Sequence, residues 1–92
     1  MDENSLMREK LDGELYKKLQ EDSSENVAVI IQTVDGLKDE DRKNMKALGG
    51  KIKDDLYIIN AFSADISLSA IKKLILSPRI VRIYFDAKVQ AV

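Results

Sequence analysis

The side chains that could do chemistry in this chain are carboxylates, amines and hydroxyls. Histidine and cysteine are both absent from its 92 residues. With them go imidazole bases, thiol chemistry, disulfides and the zinc sites built on those ligands. Carboxylate acid–base catalysis remains, but the acids sit in the wrong places for it. Asp39, Glu40 and Asp41 stand together where a helix's first turn favours negative charge. Asp35-Gly36 and Asp54-Asp55 read as turns. The residues therefore point away from an enzyme, and no cofactor or metal is expected.

The totals narrow the partners. Fifteen Lys and Arg against sixteen Asp and Glu give a net charge of −1 and a pI near 5.4. A protein built to hold phosphate backbones would carry a basic stripe, so no nucleic-acid partner is expected. Hydrophobic content of 45% with 34% charged residues is a globular composition. The length suits one small domain with a modest core. No apolar run approaches the roughly 20 residues that cross a bilayer, so no membrane partner is expected. The first 25 residues are charged throughout and cannot serve as a secretory core. If the parent protein is exported, its signal has been removed and Met1 is an expression start.

The elements that must position any site follow from periodicity. Residues 1–22 place Leu6, Met7, Leu11, Leu15, Tyr16 and Leu19 at spacings of three and four, an amphipathic helix broken near Gly13. Residues 21–26 (EDSSEN) are a polar connector. Residues 27–33 (VAVIIQT) are β-branched and almost continuously apolar, as in a central strand covered on both faces. A turn at Asp35-Gly36 leads into a helix over 37–48 with Leu37, Met45 and Leu48 inward, ended by Gly49-Gly50. A short strand at 51–53 and a turn at Asp54-Asp55 precede a strand over 57–66. That strand alternates Ile58, Phe62, Ala64 and Ile66 against Tyr57, Ile59, Ala61 and Ser63. Ser67 caps a helix running to about residue 76, with Ile71, Leu74 and Ile75 inward, and Ser77-Pro78 stops it. The last strand, 79–86 (RIVRIYFD), alternates Val81, Ile83 and Phe85 against Arg82, Tyr84 and Asp86. Residues 87–92 read as a tail.

The resulting order, a helix and then β-α-β-β-α-β, predicts an α+β ferredoxin-like sandwich with a four-stranded antiparallel sheet and two helices on one face. The chain divides into an N-terminal helical extension (1–25), a domain (26–86) and a tail (87–92). Two helices cover one face only. The set Tyr57, Ile59, Ala61 and Ser63 is then left on a smooth, half-apolar open face, a candidate docking surface.

Residues 26–92 resemble the subtilisin propeptide and proteinase-inhibitor family. The resemblance rests on Gly49-Gly50-Lys51 before a short strand, then Asn60-Ala61-Phe62-Ser63-Ala64 on the next. An Ala-Ile-x-x-Leu helix (Ala70, Ile71, Leu74) follows, with Pro78 before a strand holding Ile80, Ile83 and Asp86. Residues 27–32 (VAVIIQ) match the family's opening strand, and the N-terminal helix looks like extensions in thermophile-type members.

The resemblance implies a folding helper and product-like competitive inhibitor of a subtilisin-like serine protease, secreted within an exported precursor and monomeric when free. The open sheet face would lie on two protease helices while the tail threads the cleft as an added strand. Val89, Gln90, Ala91 and Val92 would precede the scissile bond, Val92 in the primary pocket and Val89 in a deeper one. Asp86 would cap a protease helix, with Arg82 beside it. Tyr84 stands where many members carry a second acid, a departure from the family pattern. A separately encoded cytoplasmic inhibitor acting in trans is the nearest alternative. A ferredoxin-like module binding a small molecule, and an RNA-recognition module of the same topology, are the others. The latter needs stacking aromatics where this chain has Ile, Val and Ala.

Overall fold

The structure, a computed structural model, describes residues 3–20 and 25–86. Two short helices, α1 (Glu3–Lys10) and α2 (Gly13–Gln20), precede β1 (Asn26–Thr33), α3 (Asp39–Ala47), β2 (Lys51–Leu56), β3 (Ala61–Ser67), α4 (Leu68–Leu74) and β4 (Ile80–Phe85). The strands lie in the order β2-β3-β1-β4, and every neighbouring pair is antiparallel. That is the α+β, ferredoxin-like arrangement the element order predicts.

Period-two alternation sorts the strands. Val27, Val29 and Ile31 of β1 join Phe62, Ala64 and Ile66 of β3 and Ile83 of β4 in the core. The buried apolar residues of all four α-helices belong to that same cluster, so these helices lie on one face of the sheet. Helix α3 covers β2, α4 covers β3, and the N-terminal pair covers β4. Met7, Leu11, Leu15 and Leu19 are core residues; the segment expected as an extension is a third part of the helical layer.

Local chemistry sets the helix ends. Ser67 Oγ accepts from the Ala70 amide at 3.2 Å and starts α4. Asp41 Oδ2 accepts from the Lys38 amide at 2.9 Å at the start of α3. Two glycines end α3 for different reasons. Gly49 has φ +78°, which a side chain resists. A Cβ on Gly50 would sit 2.7 Å from Met45 Cε and 3.3 Å from the Asp65 carbonyl oxygen.

Arg79 ties α3 to the start of β4. Its Nε and Nη2 donate to Asp41 Oδ1 and Oδ2 at 3.0 and 2.8 Å, and Nη2 also reaches the Gly36 carbonyl at 3.0 Å. Asp35 pairs with Nη1 at 2.8 Å. Asp41 is only 4% exposed, so this fork is a charge-assisted bond largely out of water. The hydrogen bonds to Asp41 hold the guanidinium still more firmly protonated than usual, against an opposing effect of burial.

The β2–β3 hairpin departs from expectation. Asp54 and Asp55 lie within β2, with a register shift between Ile52 and Asp54. The chain turns at Tyr57–Ile59, one 3-10 turn closed by Asn60 in the left-handed region at φ 55°. The Thr33 amide bonds the Asn60 carbonyl at 2.8 Å and fixes the turn against the end of β1. In β4 a second register shift, opposite Gln32 and Thr33, breaks the expected alternation. Ile80 is buried and Val81 is 44% exposed.

Candidate functional site

Pairing register builds the helix-free face row by row, because residues directly opposite in antiparallel strands share a side. Asp54, Ser63, Ile30 and Tyr84 form one row. Leu56, Ala61, Gln32 and Arg82 form the next. Lys51, Asp65 and Ala28 form a third, which the Asp86 amide extends by donating to the Ala28 carbonyl at 2.9 Å. The central strands contribute Ala28, Ile30, Gln32, Ala61, Ser63 and Asp65, and the edge strands Lys51, Asp54, Leu56, Arg82 and Tyr84.

Of the residues expected on this face, Ala61, Ser63, Arg82 and Tyr84 are there. Tyr84 is 37% exposed, and the Arg82 guanidinium lies 5.7 Å from its ring centroid, a cation–π pair between same-side neighbours. Ala61 and Ser63 are 0% and 6% exposed. They make a flat floor rather than projecting contacts. The Ser63 hydroxyl is engaged at home: it accepts from the Asp54 amide at 3.1 Å, a donor displaced by the β2 register shift.

Tyr57 and Ile59 are not on the face. Both belong to the 3-10 turn at the hairpin tip, 73% and 53% exposed, with Ile58 at 84% between them. Strand alternation placed Ile58 in the core and the other two on the sheet. The turn takes all three out of the strand ladder, and leaves the Ile59 carbonyl beside the open face, where it accepts from Gln32 Nε2 at 3.4 Å. Ile30 and Gln32 of β1 take their place, half-buried at the middle of the face. They were missed because 27–33 reads as covered on both sides; its own alternation, with Val29 and Ile31 inward, is the signal that finds them.

Asp86 follows β4 and is half-buried. It borders a cleft of about 260 Å³ lined also by Lys18, Glu25, Ala28, Asp65 and Phe85. Asp65 pairs with Lys53 at 3.5 Å, and Lys18 Nζ lies 5.3 Å over the Phe85 ring. Val89, Gln90, Ala91 and Val92 lie outside the described residues. Among the described residues no group of three or more acids could hold a metal ion. No described helix is long and apolar enough to cross a membrane. The face joins small residues, Ile30 and Gln32 at the middle to a Tyr–Arg pair along β4 and a carboxylate where β4 ends. No protein-family model, curated protein or solved structure matches the chain.

Proposed function

We propose that this chain is the propeptide-type inhibitor and folding helper of a subtilisin-like serine protease, and has no catalytic activity of its own. The observation that carries the reading is the helix-free sheet face: Ile30, Gln32 and Tyr84 stand over a floor of Ala28, Ala61 and Ser63, and β4 ends beside that face at Asp86. The small residues are almost inaccessible, with Ala61 0% exposed, so Ile30, Gln32 and Tyr84 are the side chains that two partner helices would meet. Asp86, half-buried at the end of β4, supplies a carboxylate whose oxygens can also accept from the free amides of a partner helix N-terminus. Tyr84 and Arg82 serve as an amphipathic anchor of the type enriched in interfaces.

The residues after Asp86 would run into the active-site cleft as an added strand, with Val92 and Val89 in the pockets and Gln90 and Ala91 between them. A surface that binds the native protease helices also stabilises them during folding, which supplies the helper role; once cleaved, the same surface inhibits. Titration of a subtilisin with the purified chain tests the reading. The expected result is inhibition in the nanomolar range, strongly weakened by deleting residues 89–92 while the domain stays folded. Undiminished protease activity at micromolar chain sinks the proposal.

A further inference from the structure

We infer that residues 3–20 are an internal strut that completes the core and seals the outer edge of β4, so that the chain folds without its partner. Neither α1 nor α2, eight residues each, is long enough to persist alone in water. Their order is owed to docking, and docking is mutual. Met7, Leu11, Leu15 and Leu19 are 7%, 3%, 0% and 5% exposed, in one cluster with Ile71, Leu74, Ile75 and Ile83. Burial of four such side chains rivals the whole net stability of a small domain.

The backbone is clasped as well. β4 pairs with β1 on one side. On the other, Leu11 bridges to Ile83 in parallel, the Asp12 amide donates to the Ile83 carbonyl at 3.2 Å, and Asp12 Oδ2 accepts from the Phe85 amide at 2.8 Å. Asp12 Oδ1 meanwhile accepts from the Leu15 amide at 2.9 Å and starts α2. One carboxylate thus joins the strut to the strand. Lys10 Nζ donates to the Ile75 and Ser77 carbonyls at 2.7 and 2.9 Å, closing the end of α4. The opposite sheet edge is guarded by other means, with Lys51, Lys53, Asp54 and Asp55 along β2 and a register shift among them.

The buried side chains of the strut pack on the helical side while Leu11 and Asp12 line the outer edge of β4, so the strut supports the open face from behind and from one edge. Resting on the inhibitor reading, this gives an inhibitor that is assembled before it meets the protease. Hydrogen exchange on the intact chain tests it first. The amides of Leu15, Ile83 and Phe85 are expected to exchange as one unit, within about tenfold of Ile31 in protection. A Leu15 amide exchanging about 100-fold faster than Ile83 and Ile31 overturns the inference.

The full chain carrying Leu11→Asp and Leu15→Asp is the second test. It is expected to lose its cooperative unfolding transition and to inhibit a subtilisin about 100-fold more weakly, as the folded fraction falls. A wild-type unfolding midpoint in that variant also overturns it. Failure of the unsubstituted chain to inhibit removes the inhibitor reading, and the exchange measurement still judges the strut.

Discussion

Asp12→Ala isolates the clasp between the N-terminal helices and β4. The substitution removes two acceptors at once. Losing the bond to the Leu15 amide removes the cap of α2, about 1 kcal/mol. Losing the bond to the Phe85 amide removes a charge-assisted hydrogen bond, about 1.5–3 kcal/mol. The sum, about 2.5–4 kcal/mol, corresponds to a fall in Tm of roughly 10–30 °C for a domain of this size. Asp12→Asn divides the two effects. Its single carbonyl oxygen can still cap α2, but its amide nitrogen cannot accept from Phe85, so it is expected to fall between wild type and alanine. Thermal and urea unfolding followed by circular dichroism measure both. An alanine variant melting within about 2 °C of wild type refutes the clasp as a stabilising element.

Three further substitutions probe the rest of the molecule. Ile30→Glu places a charge at the centre of the helix-free face; unfolding is expected to change by less than about 1 kcal/mol while inhibition weakens at least tenfold, and unchanged inhibition removes that face from the interface. Asp86→Ala is expected to weaken inhibition by about 1–2 kcal/mol, or roughly 5–30-fold in the inhibition constant, the scale of a lost helix cap. An unaltered constant excludes the capping role. Gly50→Ala brings a methyl group to 2.7 Å from Met45 Cε, the mobile end of a flexible side chain, and to 3.3 Å from the Asp65 carbonyl, with an expected loss of about 1 kcal/mol by urea unfolding; wild-type stability would mean that Met45 swings aside and the backbone absorbs the remainder.

Fold class was legible from local signals. The caps at Ser67 and Gly49, the strand-like runs at 27–33 and 80–85 and the break between α1 and α2 all depend on neighbours within a few residues. Right-handed connection then leaves one plausible strand order, the one observed. The site was less legible. Arg82, Tyr84 and Asp86 follow from the alternation of a single strand. Tyr57 and Ile59 were misplaced, because an alternating run continues through the hairpin with no glycine or proline to mark the turn.

What the sequence determined by itself, then, was the order and type of the elements, and the exclusion of imidazole and thiol chemistry. Periodicity, capping and composition act over short range or not at all through space. Tertiary structure decided the rest. The pairing of β2 with β3, pinned by Thr33 against Asn60, put the turn at Tyr57–Ile59. The empty edge of β4 was filled by Leu11 and Asp12, from some 70 residues earlier in the chain. Arg79 found Asp41, thirty-eight positions away. Such contacts depend on which surfaces remain unsatisfied once the sheet has formed, and that is a property of the assembled fold rather than of any stretch of chain.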